Sequence, residues 1–381
     1  MFVHHSVELY GSDRILLSLV TGLDHSRFTP IVVVPDEGLL TDKLTQAGIE
    51  THILPIIKLT RNFFSVHELI KFPFKVLESL LAFQRLFKGR HIDIVHSNTL
   101  AVLSGALWAN LRKIWHIWHV HEIILHPAVA RKLYPHALML FADKVAAISQ
   151  AVAHSLTTIC PSLAEKIDVV WNGIDEANPP CPKEVKSFRQ ELGLSNADLL
   201  IVLVGRINRW KGHALFVEAA ERLIERGVNN AYFFMAGGPP PGQEHFRQDL
   251  VDRIKLSSAQ SRIRLLDYVE EIRTLWEASD ICVVPSIEPE PFGMVALEAM
   301  VAAKPVIGAD HGGLSEIVID GYTGFLFEPG SVEALTNRLA ELVNNESKRK
   351  EMGENGRKRA KRVFSLQRYV RSFETIYELA R

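Results

Sequence analysis

The sequence predicts an α/β protein built from two Rossmann-like domains facing across a cleft, and three observations predict it. Short β-rich runs alternate with helical patterns through both halves of the chain, and a proline-rich break between Asn172 and Pro182 separates the halves. At 381 residues with 47% hydrophobic side chains, the chain is long and apolar enough for two cores. Strands separated by helices imply parallel βαβ units, with ligands expected at the carboxyl ends of the strands.

In the N-terminal half, strands are expected at Phe2–His5, Ile31–Val34, Thr51–Leu54, Ile94–His96, Ile114–Val120, Val145–Ile148 and Val169–Trp171. Helical periodicity appears at Asp13–Leu23, Leu39–Ala47, Val66–Phe87, Ala101–Leu111 and Ala151–Ile159. Asn172-Gly173-Ile174-Asp175 reads as a tight turn entering the hinge, and Pro179, Pro180 and Pro182 can continue neither a ladder nor a helix. The second half repeats the alternation with strands at Leu199–Val204, Tyr232–Ala236, Ile263–Leu266, Ile281–Val284, Pro305–Gly308 and Phe325–Phe327. The expected domains are therefore 1–178 and 179–365, followed by a last helix from about Leu366 that has no strand after it.

Composition removes several function classes. A net charge of −1 argues against a dedicated nucleic-acid binder. Cys160, Cys181 and Cys282 are odd in number and widely spaced, so they give no disulfide framework or zinc pattern and suit a reducing, cytosolic compartment. The start, Met1-Phe2-Val3-His4-His5, lacks a basic region and a long apolar core, and runs such as Leu199–Val204 are too short to cross a bilayer. Between Lys58 and Arg90, Phe63, Phe64, Phe72, Phe74, Phe83 and Phe87 mix with Lys71, Lys75, Arg85 and Lys88. That mixture suits a helix resting peripherally on an anionic membrane surface, and equally an amphipathic helix packed on the N-terminal sheet.

The chemistry concentrates in Pro289-Glu290-Pro291-Phe292-Gly293-Met294-Val295-Ala296-Leu297-Glu298, between the strand ending near Val284 and a helical pattern from Met294 to Ala303. Gly293 lets the backbone approach a ligand, and the first N–H groups of the helix, at Met294 and Val295, suit a phosphate. Glu290 and Glu298 repel phosphate but accept hydrogen bonds from sugar hydroxyls. An anion with hydroxyls on both sides describes a nucleotide sugar. After the strand Leu199–Val204, Gly205-Arg206-Ile207-Asn208-Arg209-Trp210-Lys211-Gly212 places Arg206 and Lys211 at the mouth of a helix. Arg206 can fork onto two phosphate oxygens and Lys211 supplies a point charge, whereas Arg209 is expected in solvent. Gly237 and Gly238 end another strand, where a tight turn and a ligand contact are equally good readings.

Glu290 and Glu298 separated by seven residues, with Pro-Phe-Gly between them and Gly312-Gly313-Leu314-Ser315-Glu316-Ile317 after them, resemble the signature of the retaining glycosyltransferases of the GT-B fold. These are the group 1, family 4-like enzymes that include bacterial polysaccharide and lipopolysaccharide enzymes. The resemblance implies that Arg206 and Lys211 hold and stabilise the departing diphosphate, that Glu298 binds ribose, and that Glu290 with the Phe292-Gly293 backbone binds the sugar. It makes Gly237 a donor contact and gives the main chain around Val269, in Tyr268-Val269-Glu270, the reading of the base. Gly11, in Leu9-Tyr10-Gly11-Ser12-Asp13, resembles the family's glycine loop beside donor phosphate and acceptor, although Gly-Ser stands here where many members have two glycines. A plain turn with Ser12 as an N-cap is the other reading.

Of the 16 histidines, 13 precede the linker. Alternation puts His119 and His121 of Trp118-His119-Val120-His121-Glu122 on one face. His121-Glu122 resembles the family's pair that contacts the transferred sugar or orients the acceptor, and a buried structural histidine is the alternative. A metal reading lacks further ligands, His116 included. Ser149 would cap the following helix and stand on the acceptor side. The last helix should cross back onto the N-terminal domain.

These readings point to a transferase using a nucleotide sugar, and the resemblance implies transfer of a hexose, glucose from UDP-glucose first, to a saccharide or lipid-linked acceptor in polysaccharide biosynthesis, with retained configuration. Catalysis would rest on His121, Glu290, Arg206 and Lys211, with no metal or other cofactor, since no Asp-x-Asp motif accompanies the site. Location would be cytoplasmic, or peripheral at the inner face of the membrane. The rivals are a nucleotide-sugar epimerase on the same scaffold and a catalytically silent sugar-nucleotide binder. An NAD-dependent oxidoreductase is weaker, because no strand is followed by Gly-x-Gly-x-x-Gly.

Overall fold

The computed structural model describes residues 1–58, 66–176, 179–266, 269 and 272–380, with the backbone alone at 66–69. Phe63 and Phe64, the flanks Tyr268 and Glu270 of Val269, and residues 177–178 of the proline-rich break lie outside the described residues. The chain forms two compact units, Met1–Gly173 with Leu366–Arg381, and Ile174–Ser365.

The first unit runs β1 (Phe2–Val3), α1 (Gly11–Gly22), β2 (Ile31–Val34), α2 (Leu39–Gln46), β3 (Glu50–Ile53), α3 (Val66–Leu86), β4 (Ile94–Asn98), α4 (Ser104–Arg112), β5 (Trp115–Val120), α5 (Ala128–Phe141), β6 (Lys144–Ala147), α6 (Gln150–Thr157) and β7 (Ile167–Val169). Its seven strands pair in the order β3-β2-β1-β4-β5-β6-β7, every pair parallel. Runs such as Ile31-Val32-Val33-Val34 are buried along their whole length, as a parallel sheet covered on both faces requires. The sequence pattern misses α5, which follows Pro127 and carries Pro135 inside it, and places the last strand two residues late.

The second unit runs α7 (Pro182–Glu191), β8 (Leu199–Val204), α8 (His213–Glu225), β9 (Ala231–Ala236), α9 (His245–Leu256), β10 (Ile263–Leu266), α10 (Ile272–Ala278), β11 (Ile281–Val284), α11 (Met294–Val301), β12 (Val306–Ala309), α12 (Leu314–Ile317), β13 (Gly324–Phe327), α13 (Val332–Val343) and α14 (Glu346–Val363). Pro182 opens α7 at a position whose N–H would have no helical partner, and Glu184 reaches back to accept the Cys181 N–H at 3.0 Å. The sheet is parallel in the order β10-β9-β8-β11-β12-β13. Strand order reverses between β8 and β11 here, and between β1 and β4 in the first unit. In open α/β sheets the crevice beyond the carboxyl ends at such a reversal is where ligands bind.

The last helix, α15 (Leu366–Glu378), belongs to the first unit. Tyr369, Val370, Phe373, Ile376 and Tyr377 form its buried face. Tyr377 Oη lies 2.7 Å from His96 Nδ1, and the Phe373 ring packs against those of His96, His119, Tyr369 and Tyr377. The expected return of this helix to the N-terminal domain is thus observed. Phe373 is fully buried, so Phe373→Ala is expected to cost about 3–5 kcal/mol. Thermal unfolding followed by circular dichroism should show the lowered midpoint.

Candidate active site

The loops after β8 and β11 meet at the strand-order reversal of the second unit. Gly212, the left-handed N-cap of α8 at φ 76°, lies so close to the Pro285 carbonyl that a Cβ would come within 1.9 Å of its oxygen. The Ile287 N–H donates to the Trp210 carbonyl at 2.7 Å, closing the contact between the loops. Lys211 is thereby carried to Glu290, with Nζ 2.7 Å from Oε1, and its ammonium also lies 4.4 Å from the Trp210 ring centroid. Ser286 Oγ donates to the same carboxylate oxygen. Glu290 is only 4% exposed, so removing Lys211 would leave a buried charge unpaired.

A third loop fixes the main chain of Glu290. The Gly313 N–H donates to the Glu290 carbonyl at 2.7 Å. A Cβ on Gly312 (φ 62°) would come within 2.3 Å of that carbonyl oxygen, and one on Gly313 within 2.5 Å of the Phe292 backbone. The Phe292 ring is buried against Phe364. Gly293, at φ 110°, starts α11, and the N–H groups of Met294 and Val295 belong to its first turn. One turn on, Glu298 Oε2 accepts from Trp276 Nε1 at 3.2 Å.

Arg206 is exposed just beyond β8, and Val269 is partly buried beyond β10. Arg209 is largely exposed, as expected, and pairs there with Glu288. Gly237 has a packing reason, because a Cβ at its φ of 134° would meet the Gly205 carbonyl oxygen at 2.3 Å.

The reversal point of the first unit holds a polar cluster. Asp13, buried in the first turn of α1, has Oδ1 2.8 Å from His4 Nε2, and its Oδ2 accepts from the Leu9 N–H at 2.8 Å and Ser6 Oγ at 3.0 Å. His4 Nδ1 lies 2.9 Å from Asn98 Nδ2, and Asn98 Oδ1 lies 2.9 Å from His121 Nε2. Burial pushes the Asp13 carboxyl up, but the bonds from His4, Ser6 and Leu9 outweigh it and hold it at about 2. The rings of His119 and His121 share a face as alternation predicts, 4.0 Å apart, and burial first, then neighbouring histidines, holds both well below the ordinary histidine range. Glu122 Oε2 accepts the N–H groups of Leu100 and His121 at 3.1 and 3.0 Å.

One expectation needs correcting here. Ser12 is not the N-cap: Tyr10 holds that position without a side-chain cap, and Ser12 lies inside the helix, bonded to Asp13 at 3.2 Å. Ser149 does cap α6, as expected, accepting the Val152 N–H at 3.0 Å, and is fully buried. Gly11 is exposed, and a Cβ there would meet nothing within 4 Å.

Comparison with known proteins decides the family. The sequence profile of the glycosyl transferases group 1 matches residues 184–359, and that of glycosyltransferase family 4 matches residues 10–178. An alpha-maltose-1-phosphate synthase of Mycolicibacterium smegmatis is 32% identical over 297 residues, 71% of this chain and 75% of that protein. This chain is a group 1, family 4-like glycosyltransferase. A D-inositol 3-phosphate glycosyltransferase of Corynebacterium glutamicum is 29% identical over 323 residues, 78% of this chain and 74% of the relative. Among solved structures, Anabaena HepE in complex with UDP-glucose shares the fold at a TM-score of 0.84 and 22% identity, over 99% of both chains. The fold is the GT-B arrangement of two Rossmann-like domains that the glutamate motif implied.

In this glycosyltransferase the structure brings Lys211, Glu290, Phe292 and Gly293 together and sets Glu298 along the same helix. Sequence reasoning missed Ser286, Trp276, His4, Asp13 and Asn98. An acid in the first turn of a helix was a signal for Asp13; the others carry none, because only folding makes them neighbours.

Burial pushes the Glu122 carboxyl up to about 7, although the Leu100 and His121 N–H groups favour its ionised form. The folded chain therefore keeps a proton that the unfolded chain loses near 4.5, so this group's stabilising contribution is complete below that value and is lost as pH rises towards 7. Glu122→Gln removes the titration. The melting temperature of wild type minus that of Glu122→Gln should fall as pH is raised from about 5 to about 7.

Proposed function

We propose that this glycosyltransferase moves a hexosyl group, glucose from UDP-glucose first, onto a hydroxyl of a saccharide or lipid-linked acceptor in polysaccharide biosynthesis, retaining the anomeric configuration. The observation that carries the reading is the buried Lys211–Glu290 pair beside the amino end of α11. It sets a cation, a carboxylate and first-turn N–H groups where a diphosphate and a sugar could share them. Support for the donor comes from HepE, solved with UDP and with UDP-glucose.

In this reading the first-turn N–H groups of α11 at Met294 and Val295, with Arg206 and Lys211, receive the diphosphate. Glu298, oriented by Trp276, takes the ribose hydroxyls, and the main chain around Val269 and Gly237 lines the base side. Glu290 and the Phe292-Gly293 backbone hold the hexose. Gly11, Ser12, His121 and Glu122 stand on the acceptor side. Two cationic side chains and a helix end stabilise the charge growing on the leaving diphosphate, without a metal ion. The acceptor attacks from the face the diphosphate leaves, and the departing phosphate takes its proton. Glu290, engaged by Lys211 and Ser286, serves as a hydrogen-bond acceptor and not as a covalent nucleophile.

Peripheral membrane contact belongs to the same proposal. No helix among the described residues is long and apolar enough to cross a membrane. Yet α3 exposes Ile70, Phe74, Leu77 and Leu81 together with Lys71, Lys75 and Arg85, a face suited to an anionic lipid surface.

Titration calorimetry with UDP-glucose, UDP-galactose and GDP-mannose should give the strongest binding for UDP-glucose; tighter binding of GDP-mannose would overturn the donor assignment. Lys211→Ala and Glu290→Gln are each expected to lower kcat by about 10²–10³. Unchanged turnover in both would remove the site. Co-sedimentation with phosphatidylglycerol vesicles, but not phosphatidylcholine vesicles, should be lost in Phe74→Ser/Leu77→Ser.

A further inference from the structure

The polar cluster of the first unit has a direction built into it. At neutral pH the Asp13 carboxylate carries no proton and can only accept. His4 Nε2 must therefore be its protonated nitrogen, and His4 Nδ1, which faces the Asn98 amide nitrogen at 2.9 Å, accepts an N–H from a group that can only donate. The amide oxygen of Asn98 then faces His121 Nε2, and that nitrogen has to be the donor. Each link admits one polarity once the first is set.

We infer that Asp13, acting through His4 and Asn98, is a positioning residue that fixes the proton of His121 on Nε2 and presents Nδ1 as a bare acceptor. The inference rests on the reading of His121 as a group of the active site. The hydrogen bonds of His121 among the described residues run from Nε2 to Asn98 and from its main-chain N–H to Glu122 at 3.0 Å, and leave Nδ1 without one. The chain crosses the carboxyl ends of β1, β4 and β5, at the strand-order reversal where ligands bind.

The backbone around it is strained as functional sites often are. Leu9, whose N–H donates to Asp13, sits at φ 66°, and the β-branched Thr99, next to Asn98, at φ 84°. Thr99 is held there by its N–H to the His119 carbonyl at 2.9 Å, by Trp118 Nε1 to its own carbonyl at 2.9 Å and by contact with His5 Nδ1 at 3.2 Å. A bare Nδ1 can accept a hydrogen bond from an acceptor or sugar hydroxyl and so orient it, whereas the opposite tautomer can only donate there.

Asp13→Asn reverses the polarity without changing the shape. The Leu9 N–H can only donate, so the amide oxygen stays at that position and the amide nitrogen faces His4. His4 then donates from Nδ1, the Asn98 amide turns over, and the His121 proton moves to Nδ1. Long-range ¹H–¹⁵N spectra of the full-length protein labelled at histidine, with the His121 signals assigned by their loss in His121→Ala, should show Nε2–H in wild type and Nδ1–H in Asp13→Asn. The variant should lose about tenfold in kcat/KM with UDP-glucose, the weight of one hydrogen bond. In the His121→Ala background Asp13→Asn should lower it no further.

Wild-type His121 protonated on Nδ1, or an unchanged tautomer in Asp13→Asn, overturns the inference, and the wild-type spectrum decides even if the variant does not fold. If the tautomer switches but His121→Ala turns over like wild type, the relay stands and the proposed role of His121 falls.

Discussion

A carboxylate as buried as Glu290 is costly to leave without a partner, and the second unit is arranged to set a cation against it. Lys211 arrives from a loop after β8, 79 positions earlier in the chain. It can reach Glu290 because Gly212 passes against the Pro285 carbonyl, and Glu290 stays in place because Gly312 and Gly313 pack on its own backbone and that of Phe292. Each contact leaves no room for a Cβ, so side-chain substitution at any of these glycines would separate loops that must touch for the pair to form. Desolvation then strengthens the attraction between ammonium and carboxylate at the place proposed for a diphosphate and a sugar.

The first unit answers the same topology with different chemistry. Its strand-order reversal is lined by polar groups bonded to one another, His4, Asn98 and His121, anchored by one carboxylate at Asp13. Burial keeps His121 uncharged. A cationic pocket suits a leaving phosphate, whereas uncharged acceptors suit hydroxyls, which need orienting more than neutralising. The returning helix α15 seals the histidine layer with Tyr369, Phe373 and Tyr377, so the polar cluster is backed by aromatic packing.

Much of the fold was legible because parallel strands buried on both faces are written as short apolar runs. Leu199–Val204, Ile263–Leu266 and Ile281–Val284 match the observed strands residue for residue. The reading faltered where burial weakens or proline intervenes: β7 is only partly buried, and α5 accommodates Pro135. In the site, residues within one short segment, Glu290 to Glu298, were visible as a motif, and so were Arg206 and Lys211 at the end of a strand. Ser286, Trp276, His4, Asp13 and Asn98 were not, since a single serine, tryptophan or asparagine has no spacing that marks it.

By itself the sequence determined which residue types stand at the ends of which strands, and with that the two-domain α/β class and the glutamate motif, because periodicity and local turn chemistry are properties of neighbours along the chain. Only the tertiary structure decided that Lys211 is paired with Glu290, that Gly237 serves packing, that Ser149 is buried, and that Asp13 speaks to His121 through two intermediaries. Those outcomes depend on distances between segments up to 94 positions apart, and a hydrogen bond or ion pair exists only where folding has closed such a distance to about 3 Å.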